Sequence, residues 1–184
     1  MSRLSTEVRQ YCSDNLLRLN TDLGQHFLVD EMVLDEIVTS GDIQEDDHIV
    51  EIGPGIGVLT RELLYNAGKV TAVEIDERMI SLLKQFTGYS SILTIINNDA
   101  LKVDFPEEPY KIIANIPYHI TSPLLRHAMM ESKVRPTSMT LLIQKEVADR
   151  ICDKKSECLL SIIVKLFGEP KKICNVPPTS FLPP

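Results

Sequence analysis

A chain of 184 residues with 43% apolar and 24% charged side chains has the balance of a single globular domain with a sizeable core. It holds no apolar run near the roughly 18 residues of a membrane span, no secretory core in "MSRLSTEVRQYCSDNLL", and no close pair among Cys12, Cys152, Cys158 and Cys174. These features argue against a membrane protein, a disulfide framework and a cysteine metal site, and a net charge of −7, concentrated in the first fifty residues, argues against a broad electrostatic grip on nucleic acid.

In chain order, residues 8–19 predict a short amphipathic helix, and residues 30–40 a second with Asp30 as its N-cap. "DHIVEIGPGIGVLTREL" passes from a strand into a glycine loop and then a helix. "KVTAVEID" predicts the second strand, "ERMISLLKQF" a helix and "SILTIINND" the third strand. "YKIIANI" follows as the fourth strand, "SPLLRHAMME" as a helix and "SMTLLIQ" as the fifth strand. "KEVADRI" and "ECLLSIIVKLF" are helical, and "KKICNV" reads as one more strand. Apolar strands alternating with helices predict a parallel α/β sheet covered on both faces. "VPPTSFLPP" closes the chain in an extended, proline-rich segment that reads as the cut end of a longer domain.

"EIGPGIG" sits at the first strand-to-helix junction, where α/β folds bind ligands. Gly53, Gly55 and Gly57 permit a tight turn and close backbone approach, although the spacing misses the dinucleotide fingerprint because Val58 stands where its last glycine belongs. A glycine turn with no ligand is the alternative. Glu74, ending the second strand, can accept hydrogen bonds from two ribose hydroxyls. Asp76 reads better as the N-cap of the next helix. Asp99, after the third strand, is placed either to meet an adenine amino group or to cap its own turn.

"EIGPGIGVLT", "AVEID", "NNDAL" and "NIPYHITSPL" together resemble the class I S-adenosylmethionine-dependent methyltransferases. With "LGQHFLVD" upstream and "QKEVADRI" and "VPPTSF" downstream, the set resembles the small-subunit ribosomal RNA adenine dimethyltransferase family. That resemblance implies a doubly wound Rossmann-like sheet, here cut before its last antiparallel strand and a C-terminal helical domain. The missing strand would lie between the fifth strand and "KKICNV". Residues 1–24 would form an N-terminal helix and lid segment, and residues 25–184 the catalytic domain. The resemblance also implies S-adenosyl-L-methionine as cofactor, held by Gln25, His26, Leu28, Glu51, Gly53, Gly55, Glu74, Ile75, Asp99, Ala100 and Asn115. Small-subunit ribosomal RNA or its precursor particle would be the substrate. A cytoplasmic, metal-free monomer away from any membrane is expected.

The "NIPY" turn suits methylation of an exocyclic adenine amine, whose lone pair is delocalised into the ring. The Asn115 side-chain oxygen and the carbonyl of Ile116 or Pro117 can accept its two N–H groups and favour a pyramidal nitrogen. Pro117 fixes the backbone and brings no competing N–H, and Tyr118 offers a face for stacking a base. A core tyrosine beside a turn asparagine is the plain alternative. The resemblance places Phe181 against the opposite face of the base, while a hydrophobic plug explains it equally well. Two other functions stay open: methylation of a small molecule or protein on the same fold, and a nucleic-acid-binding scaffold without activity.

Overall fold

The computed structural model describes residues 2–17, 26–155 and 157–183. Five parallel strands, β2 (His48–Ile52), β3 (Lys69–Glu74), β4 (Leu93–Asn97), β5 (Lys111–Asn115) and β6 (Ser138–Leu142), form one sheet in the order β4-β3-β2-β5-β6. The order reverses at β2, so the crevice between the ends of β2 and β5 is the switch point where open α/β sheets take ligands.

Side-chain alternation divides the sheet between two cores. Ile49, Val70 and Ile113 join a cluster that includes α1 (Arg3–Asp14), α2 (Glu31–Ser40), α3 (Val58–Asn66) and α4 (Glu77–Thr87). Val50, Ile52, Ile112 and Ala114 face the other way and pack with Leu124 of α5 (Thr121–Arg126). Every residue of β2 is buried, as a central parallel strand requires.

The helix starts follow their capping chemistry. The Asp30 carboxylate accepts from the Met32 and Val33 N–H groups, and Asp76 Oδ1 accepts from Arg78 N–H. The first helix begins earlier than its apolar spacing predicts, at Arg3, because the Ser2 hydroxyl caps it. Its Leu4 and Val8 are buried in the first core, and Tyr11 OH donates to the Leu82 carbonyl of α4. The "SPLLRHAMME" helix is interrupted: α5 ends at Arg126 and residues His127–Glu131 widen into a π-helix.

"KKICNV" is not a strand. β6 ends the sheet order, and a groove of about 990 Å³ separates its edge from residues 168–176. That gap leaves the segment no ladder partner, and residues 171–175 are exposed. In its place two short strands unforeseen in the sequence, β1 (Phe27–Leu28) and β7 (Phe181–Leu182), pair antiparallel. The remaining helices, α6 (Lys145–Cys152) and α7 (Leu159–Phe167), follow β6. Among the described residues no helix is long and apolar enough to cross a membrane.

Candidate functional site

A cavity of about 150 Å³ opens at the switch point. The β2–α3 turn forms its floor with Gly53, Pro54 and Gly55; Glu74, Ile75 and Asp76 follow from the end of β3; Asn98, Asp99 and Ala100 come from the loop after β4; Asn115 and Pro117 come from the end of β5. His26, Phe27 and Leu28 close the remaining side. Such a volume is below the roughly 300–1,000 Å³ of ordinary small-ligand pockets. Its rim at Ile75 is 64% exposed, which leaves that edge open for a larger ligand to extend over it.

Close contacts explain why two positions are glycine. Gly53 has φ +66°, and a Cβ there would stand 3.2 Å from Pro117 Cδ, so the β2 turn abuts the Asn115–Tyr118 turn. Gly55 has φ +58°, and its Cβ would meet Phe27 Cε1 at 2.7 Å. The loop therefore lies directly beneath the 26–28 strap.

The carboxylates are fixed by donors. Glu74 accepts from Gly55 N–H (3.1 Å) and from Asp76 N–H (2.9 Å), which holds it across the turn; burial pushes its pKa up, and those two N–H groups oppose the rise. Glu51 is 1% exposed and takes the Thr60 hydroxyl at 2.6 Å. Burial raises its pKa from 4.5 to about 8, outweighing the Thr60 bond, and the nearby Glu74 charge adds to the rise. Asp99 Oδ1 accepts from Leu101 N–H, so this residue caps its own turn while lining the cavity.

Asn115 Nδ2 lies 3.3 Å from the His26 carbonyl oxygen. A carbonyl only accepts, so the amide nitrogen must face His26 and the amide oxygen is turned away from that carbonyl. The Pro117 carbonyl already accepts from Ile120 N–H, which leaves the Ile116 carbonyl as the less encumbered second acceptor.

Of the residues singled out from the sequence, His26, Leu28, Glu51, Gly53, Gly55 and Glu74 line this cavity, as do Ile75, Asp99, Ala100, Asn115 and Pro117. Gln25 lies outside the described residues. Tyr118 and Phe181 line the larger groove beside β6 instead. Phe181, 7% exposed, is packed in the first core and paired with Leu28. Sequence reasoning passed over Thr60, Asn98 and His119. Asn98, next to Asp99 at a strand end, was findable; nothing local marks Thr60 as the partner of a buried carboxyl.

An open parallel sheet with a glycine turn, a strand-end acid and a conjoined asparagine turn at its switch point defines a Rossmann-like methyltransferase domain. Solved structures agree. A dimethyladenosine transferase from Plasmodium falciparum superposes with TM-score 0.77 at 38% identity, covering 86% of this chain and 59% of that one. The 23S rRNA methyltransferase ErmE gives 0.61 at 32% identity, covering 67% and 50%. The sequence profile described as ribosomal RNA adenine dimethylase matches residues 16–184, and the chain belongs to that family. A ribosomal RNA small subunit methyltransferase A from Dehalococcoides mccartyi is 40% identical over 98% of this chain, and one from Clostridium acetobutylicum 42% over 96%. The chain spans 64% and 66% of the lengths of these two relatives.

Proposed function

We propose that this chain carries the catalytic site of an enzyme that methylates N6 of adenosines in small-subunit ribosomal RNA, using S-adenosyl-L-methionine and giving N6,N6-dimethyladenosine. The single observation that carries the reading is the contact of the Asn115–Tyr118 turn with the Gly53–Gly55 turn, with the Asn115 amide turned by His26. The residues present fit the cofactor: a backbone cradle that a Cβ would fill, a Glu74 carboxylate anchored for ribose hydroxyls, and Ile75 and Ala100 as apolar walls. When bound, the cofactor supplies an electrophilic methyl on a sulfonium.

The chain's own residues align the nucleophile. Asn115 Oδ1 and the Ile116 carbonyl accept from the amine and direct its lone pair, so positioning and fixed dipoles supply most of the rate. Tyr118 gives the base a stacking face worth about 1–3 kcal/mol. For Phe181 to oppose it, β7 must release Leu28, since the ring is buried in the first core. A base taken from a duplex costs a few kcal/mol to extrude, which favours unpaired targets. The same proposal takes residues 25–184 as the catalytic domain behind a leading segment of residues 1–24, and the protein as a cytoplasmic monomer acting on ribosomal RNA or a precursor particle.

Methyl transfer to small-subunit particles, with the modified nucleotide located by mass spectrometry, tests the reading. Dimethyladenosine is the expected product; label on a small molecule or protein, or no transfer at all, overturns it.

A further inference from the structure

Asp99 and Ala100 reach the cavity from the loop between β4 and β5, and that loop is tied to the helix behind it. Val103 and Phe105 are buried in the second core with Leu124 and Ala128, and the Val103 carbonyl oxygen lies 2.9 Å from His127 Nε2. A carbonyl only accepts, so Nε2 carries a proton. His127 Nδ1 stands 3.0 Å from Glu131 Oε2, and Arg126 Nε lies 3.3 Å from the other oxygen of that carboxylate. The carboxylate fixes the ring, and with it the direction of Nε2 toward the loop. The Phe105 ring packs against the imidazole with centroids 5.2 Å apart.

His127 also opens the π-turn that interrupts the helix, where its carbonyl accepts from the N–H and the hydroxyl of Ser132 (3.1 and 3.0 Å). Such wide turns are rare inside helices and recur at functional sites. α5 itself starts directly after the short turn of Tyr118–Ile120. One ring thus joins the loop that supplies Asp99 to the helix that follows the Asn115–Tyr118 turn. Lys102 offers Asp99 a weaker hold: its Nζ is 3.6 Å from Asp99 Oδ2 on a side chain that is 75% exposed.

We propose that His127 is a positioning residue for Asp99: by holding Val103 it sets the loop so that the Asp99 carboxylate can accept from the exocyclic amine of the cofactor's adenine, an inference that rests on the methyl-transfer reading. Asp99 Oδ1 already accepts from Leu101 N–H, and the Asp99 carbonyl accepts from Lys102 N–H (2.9 Å), so the carboxylate moves with this turn. A displacement of Val103 is therefore passed to Asp99. His127 itself does not line the cavity and acts only through the loop.

The protein alone is tested first by ¹⁵N NMR; a proton on His127 Nε2 is expected, and a bare Nε2 overturns the inference. Calorimetric titration then compares S-adenosylhomocysteine with S-inosylhomocysteine, in which an oxygen replaces the adenine amine. The wild-type protein is expected to prefer the adenosyl compound by about 10–100-fold, the worth of a hydrogen bond to a charged group. His127→Phe keeps a ring against Phe105 but has no donor; the preference is expected to fall at least about fivefold, while S-inosylhomocysteine binds nearly as before. His127→Gln places an amide N–H close to where Nε2 stood and is expected to keep the preference within about twofold. Asp99→Ala is expected to lose the preference, with no further loss when His127→Phe is added. No preference in the wild-type protein, one that survives Asp99→Ala or His127→Phe, one lost equally in His127→Gln, equal weakening of both ligands, or losses that add in the double variant overturn it. A wild-type protein that binds neither compound overturns the methyl-transfer reading itself, whereas tight binding with a preference indifferent to residue 127 overturns this inference alone.

Discussion

On the proposed reading, removing the Asn115 amide takes away an acceptor at the nucleophile while leaving the cradle at Gly53 and Gly55 intact. Asn115→Ala is therefore expected to slow methyl transfer by about 10²–10³-fold and to change cofactor affinity by less than about threefold. Single-turnover kinetics beside calorimetry check this, and equal losses in both would reassign Asn115 to cofactor binding. Glu51 yields a prediction about stability. Its folded pKa, near 8, lies above the ordinary 4.5, so the folded state binds the extra proton between those values. Its contribution is full below pH 4.5 and is lost as pH rises through 8. Glu51→Gln should flatten that decline and gain up to about 4 kcal/mol at alkaline pH, as read from urea unfolding at pH 6 and pH 9. At this scale the glycines of "IGPG" and Glu74 of "VEID" were legible, because spacing and strand ends reveal them, whereas Glu51 entered only through the family resemblance. The Thr60–Glu51 and His26–Asn115 bonds were not, since each joins residues that only the fold brings together.

Among the elements, the 26–28 strap depends on the β2–α3 turn and on β7. Gly55→Ala would impose a side chain at φ +58° against the Phe27 ring. It is expected to cost about 1–3 kcal/mol and to abolish cofactor binding, measured by thermal melting and calorimetry. The strap is also tied by Val29 N–H donating to the Ser180 carbonyl (2.8 Å) and by the Ser180 hydroxyl donating to Asp30 Oδ2 (2.7 Å). Ser180→Ala should cost about 1–2 kcal/mol and speed hydrogen exchange at Val29, while exchange in β2 stays unchanged. Long elements were readable because apolar runs of five residues and capped helices carry their own signals. β1 and β7 were not, because two-residue strands have no periodicity. "KKICNV" misled for the opposite reason: its composition favours a strand, yet a strand exists only with a partner, and the nearest edge lies across a groove.

For the whole molecule, the sheet has an interior and an unfinished side. β2 is flanked on both sides, whereas among the described residues β6 pairs with β5 alone and its residues are exposed or half-buried. Amides of β2 are expected to exchange only through global unfolding, and those β6 amides that donate nothing to β5 at least about 10³ times faster. Uniform protection across the sheet would show that the groove is covered in solution. The pairing of β1 with β7 carries a consequence for biosynthesis. Asp30 and Ser180 stand 150 residues apart, so the strap cannot be latched over the pocket until almost all of the described chain has been translated. A nascent chain that has emerged only as far as α7 holds all five strands of the sheet but lacks the carbonyl of Pro183 that holds His26, so at that stage its pocket is still unfastened.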